Sequence, residues 1–330
     1  MKKLPETREL PAATPSADQP GLAASLLVTS LFFLALQDGL VKIASTDVSI
    51  WQFQTLRSAL NLLMLVILAR FIWGTVRPRP KRFWAVALRS LFLVGAMIFY
   101  FGAIPFLSLA QIASGLYTFP LFVALLSFLV LKERVGPRRV LAILAGFCGT
   151  LLIMKPGTDA FSYTMLMPIG AGLCYAATVV TTRRLCREES PVTLAFGVSL
   201  CFVSAGILGT VFFSAVSFPE LAAAWPYLFT GWHPIGTGLL LLVAACSVLN
   251  LFANIGLAKA YQSAEASWLA PFDYSYLVFA TGWGFVLWGH LPDAVSLAGM
   301  VVIAVSGGFV AWRERQENSA RGADFNRSLR

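Results

Sequence analysis

Three stretches of this chain contain no Asp, Glu, Lys or Arg: residues 90–131, 190–219 and 221–258. Each exceeds the ~20 apolar residues that carry an α-helix across the hydrocarbon core of a bilayer. A segment in that solvent must pair every backbone N–H and C=O internally, and a helix does so. The charge inventory agrees. Of 330 residues only 12% are charged, 25 basic and 16 acidic, about half the proportion of an ordinary soluble domain. So few charges cannot cover a soluble surface of this size. The chain is expected to be an all-α polytopic membrane protein.

Breaks at charges, Pro and Gly divide the sequence into ten expected helices: 22–44, 49–73, 83–106, 108–131, 137–154, 162–183, 191–214, 236–260, 262–287 and 293–313. Residues 1–21 and 314–330 read as polar tails. The apolar stretch after residue 21 is longer than a signal-peptide core and lacks a small-residue cleavage site, so it counts as the first helix. An even number of spans places both termini on one side. With that side cytoplasmic, the inner segments hold 22 of the 25 basic residues, as the positive-inside rule requires. Lys155 alone falls outside, while Lys42 and Arg57 sit within spans. The outer connection 215–235 carries Trp225, Tyr227, Trp232 and His233, an expected aromatic belt at the headgroups.

The net charge of +9 is therefore a topology signal. A nucleic-acid partner would need Lys and Arg clustered on a sizeable soluble surface, and no segment provides one. The five cysteines are scattered, without a CxxC pair, which argues against a disulfide framework and against a metal site. No cofactor is implied.

The sequence also repeats. Val130–Met154 can be laid on Trp288–Trp312 at an offset of 158, bringing Ala304 and Gly307 onto Gly146 and Gly149. One helix earlier, Ala113-Ser114 followed by Pro120 resembles Ala266-Ser267 followed by Pro271. Two halves of five helices each, 22–154 and 162–313, are then inverted relative to one another, and the matching Pro-interrupted helices point to a midplane site. Small residues at Ala142/Gly146 and Ala145/Gly149 favour close helix packing.

Several segments carry a family resemblance: SGLYTFPLFVALLSFLVLKERV (114–135), ASWLAPFDYSYLVFATGWGFVLWGHLPD (266–293), DGLVKIAS (38–45), LRSALNLL (56–63), and Tyr175 followed by Thr182-Arg183-Arg184. In this order, over about 22–313, the chain resembles the drug/metabolite transporter superfamily in its bacterial EamA branch. The resemblance implies two five-helix repeats, a central cavity, alternating access and a place in the bacterial inner membrane. Where that family often has an acidic residue, this chain has Gly289-His290-Leu291, so no role of that acid carries over.

Charged side chains at membrane depth cost roughly 2.5–3.5 kcal/mol each on insertion scales, and they face a bundle interior or a cavity. Asp38, Lys42, Arg57 and Asp273 are the candidates, with Arg89 and Glu265 closer to the inner interface. Asp38 and Lys42, four apart, can pair on one helical face, and Arg57 can join them across the tight turn between the first two helices. This group reads either as a structural ion pair or as a substrate contact. Arg89 can snorkel to the interface. Asp273, beside Pro271 and Tyr274, is the foremost candidate for substrate or proton coupling. Uncharged polar residues form stripes at helical spacing: Gln54, Arg57, Ser58 and Asn61; Gln111, Ser114 and Thr118; Tyr175, Thr178 and Thr182; Ser247, Asn250 and Asn254. Ser267 joins them through the repeat. Trp268, Phe272, Tyr274, Tyr276 and Tyr117 offer an aromatic wall.

The expected function is secondary transport of a small polar or amphipathic metabolite; the resemblance implies an amino acid or relative, or a nucleoside-like or flavin-like compound. Protons are one option for the coupling ion, and a monomer or homodimer is expected. An ATP-driven pump would need a GxxxxGK[ST] loop, which is absent. The alternatives are an intramembrane enzyme and a channel or sensor. Enzyme chemistry needs converging nucleophiles or metal ligands, yet the chain has only His233 and His290 and no HExxH or GxSxG. A channel would show pore-lining rings from oligomeric symmetry.

Overall fold

Start and stop residues place the helices. Ser108 begins one with a capping box, accepting from the Gln111 N–H while the Gln111 side chain accepts from the Ser108 N–H. Ser190 caps another with Pro191 at its first position. The computed structural model describes residues 20–73, 80–131, 137–155, 161–263, 269 and 272–309. Its helices are α1 Pro20–Ala44, α2 Ile50–Trp73, α3 Phe83–Gly102, α4 Leu109–Leu116, α5 Phe119–Leu131, α6 Pro137–Met154, α7 Leu166–Leu185, α8 Pro191–Ala215, α9 Pro219–Ala224, α10 Pro226–Phe229, α11 Thr237–Ser263, α12 Ser275–Trp288 and α13 Ala294–Phe309. No strand occurs among the described residues.

Among the described residues, six segments are long and apolar enough to cross a bilayer: Gly21–Ala44, Phe83–Gly102, Leu109–Val130, Tyr163–Leu185, Val192–Ala215 and Thr237–Tyr261. The chain is a polytopic helical membrane protein. α2 is as long but carries Gln52, Gln54, Arg57 and Asn61 in its first half. Most of the expected tails, the basic residues at 132–136, and Glu265, Ser267 and Trp268 lie outside the described residues.

The expected single helix over 108–131 is broken. α4 ends at Leu116, a turn occupies Tyr117 and Thr118, and α5 starts at Phe119. Pro120 causes this, because it has no N–H for the Leu116 carbonyl and its ring crowds that carbonyl. The expected helix 262–287 is also interrupted, with a turn at Tyr274 three residues after Pro271.

Helices pack mostly against distant partners. α1 lies on α11 and α12, α2 on α8 and α11, α3 on α7 and α8, and α7 also on α4 and α5. α6 and α13 meet at two glycines. A Cβ on Gly149 would stand 2.8 Å from the Gly299 carbonyl oxygen, and one on Gly299 2.6 Å from that of Gly149. Only glycine permits this backbone approach. Two clusters make up most of the apolar core. One gathers Phe53, Tyr100, Phe101, Ile104, Ile112 and Tyr227, and the other Leu27, Leu31, Tyr117, Tyr276, Leu277 and Ile303.

The segment 215–235 departs in part from the expected outer belt. Trp232 is 53% exposed, but Tyr227 is 3% exposed and packs in the first core. α2 straps the segment down. Gln52 Nε2 donates to the His233 carbonyl at 2.7 Å and Gln52 Oε1 accepts from the His233 N–H at 2.9 Å. Ser49 donates to the Gly231 carbonyl and Trp51 Nε1 to that of Leu228. Tyr227 gains burial there, while Val216, Phe218 and Leu221 stay exposed.

Lys155, the one basic residue expected outside, is also accounted for. It pairs with Asp293, whose other carboxylate oxygen caps α13 by accepting from the Ser296 N–H. The neighbouring ammonium holds the Asp293 carboxyl well below its ordinary value.

Candidate functional site

Between the two cores lies a buried polar assembly built on Asp38. α1 places Asp38 at 7% exposure, where an ionised carboxylate needs several donors to offset its lost hydration. Five side chains supply or extend them. Tyr100 of α3 donates to Asp38 Oδ2 at 2.7 Å, and Tyr276 of α12 donates to the same oxygen. The two phenolic oxygens are 2.6 Å apart. Gln37 Nε2 donates to Asp38 Oδ1 at 3.0 Å, and Gln37 Oε1 accepts from Asn250 Nδ2 at 2.9 Å. Asn250 Oδ1 in turn accepts from Asn61 Nδ2 at 3.2 Å. One network therefore joins α1, α2, α3, α11 and α12.

Arg57 flanks it. It is 4% exposed, donates through Nη2 to Gln54 Oε1 at 2.9 Å and lies over the Phe101 ring at 5.2 Å. Gln54 Nε2 continues to Ser58 Oγ at 3.0 Å. Arg57 Nε is buried without a hydrogen-bond partner among the described residues. Ser247 donates to the Arg57 carbonyl.

The expected Asp38–Lys42 pairing does not form. Among the described residues no ion pair within 4 Å links Asp38 to Lys42 or to Arg57. Lys42 Nζ instead donates to the Leu107 carbonyl and sits 5.2 Å from the Trp288 ring centroid. Four residues along a helix allow a contact but do not compel it. The tyrosine hydroxyls satisfy Asp38, and the turn after α3 offers Lys42 an unpaired carbonyl.

A second assembly surrounds Asp273. Tyr261 donates to Asp273 Oδ2 at 2.5 Å, and Tyr117 donates to the Asp273 carbonyl at 2.9 Å. Tyr274 lies 5.4 Å from Tyr117, and its hydroxyl occupies the space a Cβ on Gly307 would take. Phe119 meets Tyr117 on one side and Tyr175 on the other, at centroid distances of 6.0 and 5.0 Å. On α3, Arg89 does not snorkel freely. Its Nε donates to Thr182 Oγ1 at 2.8 Å, and its Nη1 is buried without a partner among the described residues.

Other expected residues serve their own helices. Gln111 closes the capping box, Ser114 bonds back to the Ala110 carbonyl, and Thr118 to that of Gly115. Gln111 and Ser114 also line a crevice of about 10 Å³ with Thr150 and Met154, room for about one water. Asn254 is exposed and donates to the Asn250 carbonyl. Ser267 lies outside the described residues. The sequence reading did not find Gln37, Tyr100 or Tyr261. Gln37 beside Asp38 was the one legible signal, since two polar residues side by side in an apolar helix are both costly.

Residues 21–155 match the EamA-like transporter family. A riboflavin transporter of Vibrio cholerae is 26% identical, over 91% of this chain and 93% of its own length. A pseudopaline exporter of Pseudomonas aeruginosa is 29% identical, over 85% of this chain and 93% of its own length. A solved crystal structure, 21% identical, superposes with a TM-score of 0.57 over 88% of this chain and 97% of that one, a likeness of fold.

Proposed function

We propose that this chain, which belongs to the EamA-like transporter family of the drug/metabolite transporter superfamily, is a secondary transporter that moves a small polar or amphipathic metabolite across the bacterial inner membrane by alternating access. The observation that carries the reading is the paired arrangement of Asp38 and Asp273, each held by tyrosine hydroxyls and joined through the Tyr117–Tyr276 stack. Intramembrane acids, aromatic faces and guanidinium donors at Arg57 and Arg89 that have no partner among the described residues together suit a solute with a planar, heteroatom-rich part and a charged or hydroxylated part. The riboflavin relative fits that chemistry.

Helix packing supports ten spans arranged as two inverted halves, 22–154 and 162–313. Exchanging each helix of one half for its counterpart five spans away turns the α1–α11 contact into α7–α3, α1–α12 into α7–α4/α5, and α2–α11 into α8–α3. α2 with α8, and α6 with α13 at Gly149 and Gly299, map onto themselves. Such a pseudo-two-fold relation about the midplane is what alternating access exploits. The basic residues favour both termini in the cytoplasm.

Proteoliposomes containing the purified chain and a pool of metabolites test the reading, with and without an imposed pH gradient. Selective movement of one class of solute is the expected result. No movement of any solute, or chemical conversion of lipid or peptide, overturns it.

A further inference from the structure

Counting protons around Asp38 leads beyond this reading. Three oxygens, Asp38 Oδ2 and the Tyr100 and Tyr276 hydroxyls, are mutually within hydrogen-bond reach. Three such contacts need three hydrogens, one along each edge. The two phenols bring two. With Asp38 ionised, both phenols point at the carboxylate, and their own oxygens face each other at 2.6 Å with no hydrogen between. A third hydrogen, on the carboxyl, closes the ring: each oxygen then donates once and accepts once.

From this geometry we propose that Asp38, Tyr100 and Tyr276 form a proton-binding site at the contact of α1, α3 and α12. A proton arriving from water bonds to an Oδ2 lone pair. The hydroxyls rotate to accommodate it without giving up their own hydrogens, and its departure restores the carboxylate. The other facing groups set the balance between the two states. Arg57, on α2, is the charge that reaches Asp38 and favours the ionised form. Gln37 donates to Oδ1 in either state. From α11, Cys246 faces the Gln37 carbonyl and Asn250 the Gln37 amide. Tyr117 covers the Tyr276 ring. Lys42, one turn along α1, is directed to Leu107 and Trp288.

The location of the proton stands independently of transport; only its use as a driving ion rests on the function proposed above. Infrared difference spectra of the full chain in lipid, stepped between about pH 5 and about pH 9, read the protonated-carboxyl C=O stretch directly. Asp38→Asn is expected to remove a component of the band that Asp273→Asn keeps. In Tyr100→Phe and Tyr276→Phe, which keep ring volume and the carboxyl, that component persists at a shifted position. A band that Asp38→Asn leaves undiminished, or that neither tyrosine variant moves, overturns the site. Flux of the solute identified in proteoliposomes gives the second readout. A pH gradient accelerates it in the native chain, and Asp38→Asn removes that acceleration. Solute flux indifferent to the gradient overturns the coupling role and leaves the transporter reading intact. An intact Asp38 band with no solute flux overturns the transporter reading and leaves the proton site intact.

Discussion

Tyr117 and Tyr276 stack face to face, with ring centroids 5.5 Å apart and planes 17° from parallel. The first follows α4 directly; the second lies in the first turn of α12. Each ring sits next to a helix interruption that a proline accompanies in the sequence. Tyr117 donates to the Asp273 backbone carbonyl while Tyr276 donates to Asp38, so a single aromatic contact links the backbone at Asp273 to the Asp38 carboxylate. Movement at either interruption would shift both rings together.

Restoring the helix tests that link. Pro120→Ala supplies the missing backbone N–H, which can reach the Leu116 carbonyl, and α4 and α5 can merge. The variant should equal or exceed the native chain in thermal stability, since a helix-interior proline costs about 3 kcal/mol. Its solute flux should nevertheless fall, as Tyr117 swings off Tyr276. Thermal unfolding in detergent and proteoliposome flux read the two effects separately.

Asp273→Asn should leave membrane insertion and folding intact while lowering flux by about tenfold, the scale of one charge-assisted hydrogen bond. Tyr261→Phe, which removes the donor to Asp273 Oδ2, should lower flux less. Native flux from Asp273→Asn would eliminate the residue from the transport cycle.

Gln52→Leu removes both bonds that fasten the outer segment at His233. Two backbone groups then lose their partners, at about 1–3 kcal/mol each, and Tyr227 should leave its place in the core. Cys246, fully buried in the native chain, should react faster with a membrane-impermeant maleimide added outside. Mass spectrometry of the labelled peptide measures the change.

Gly307→Ala should displace Tyr274, whose hydroxyl fills the space of the new methyl group. Overpacking of this kind costs about 1–3 kcal/mol, visible as a lowered midpoint of thermal unfolding. Restoring room with Tyr274→Phe in the same chain should recover part of the loss.

The Lys155–Asp293 pair makes a pH prediction. The Asp293 carboxyl titrates lower in the folded chain than its ordinary value of 3.8. Its contribution is therefore complete above that value and lost as pH falls towards the folded one. Asp293→Asn should lower thermal stability by a constant small amount from about pH 5 to about pH 8. That difference should disappear in stronger acid, where the native carboxyl is itself protonated.

The class of fold was open to reading because it follows from one-dimensional physics. A run such as 221–258 without a formal charge has no stable place outside a bilayer or a large core, wherever the rest of the chain goes. Pro120 and Pro271 were visible as matched interruptions for the same reason, since a missing N–H acts on its own helix. Asp38, Arg57 and Asp273 stood out because charge in an apolar run is costly in any packing arrangement.

Partners were another matter. Asp38 could reach Lys42 by spacing alone, yet it bonds Tyr100, 62 residues away, and Tyr276, 238 residues away. An aromatic hydroxyl in an uncharged run carries no mark of what it faces. The burial of Tyr227, the strap from Gln52 to His233 and the Gly149–Gly299 contact were equally silent, because each depends on which helices lie side by side. The sequence by itself determined a helical membrane protein with acids at membrane depth. Only the tertiary structure decided which hydroxyls hold those acids, since hydrogen-bond partners are fixed by the three-dimensional approach of helices far apart in the chain.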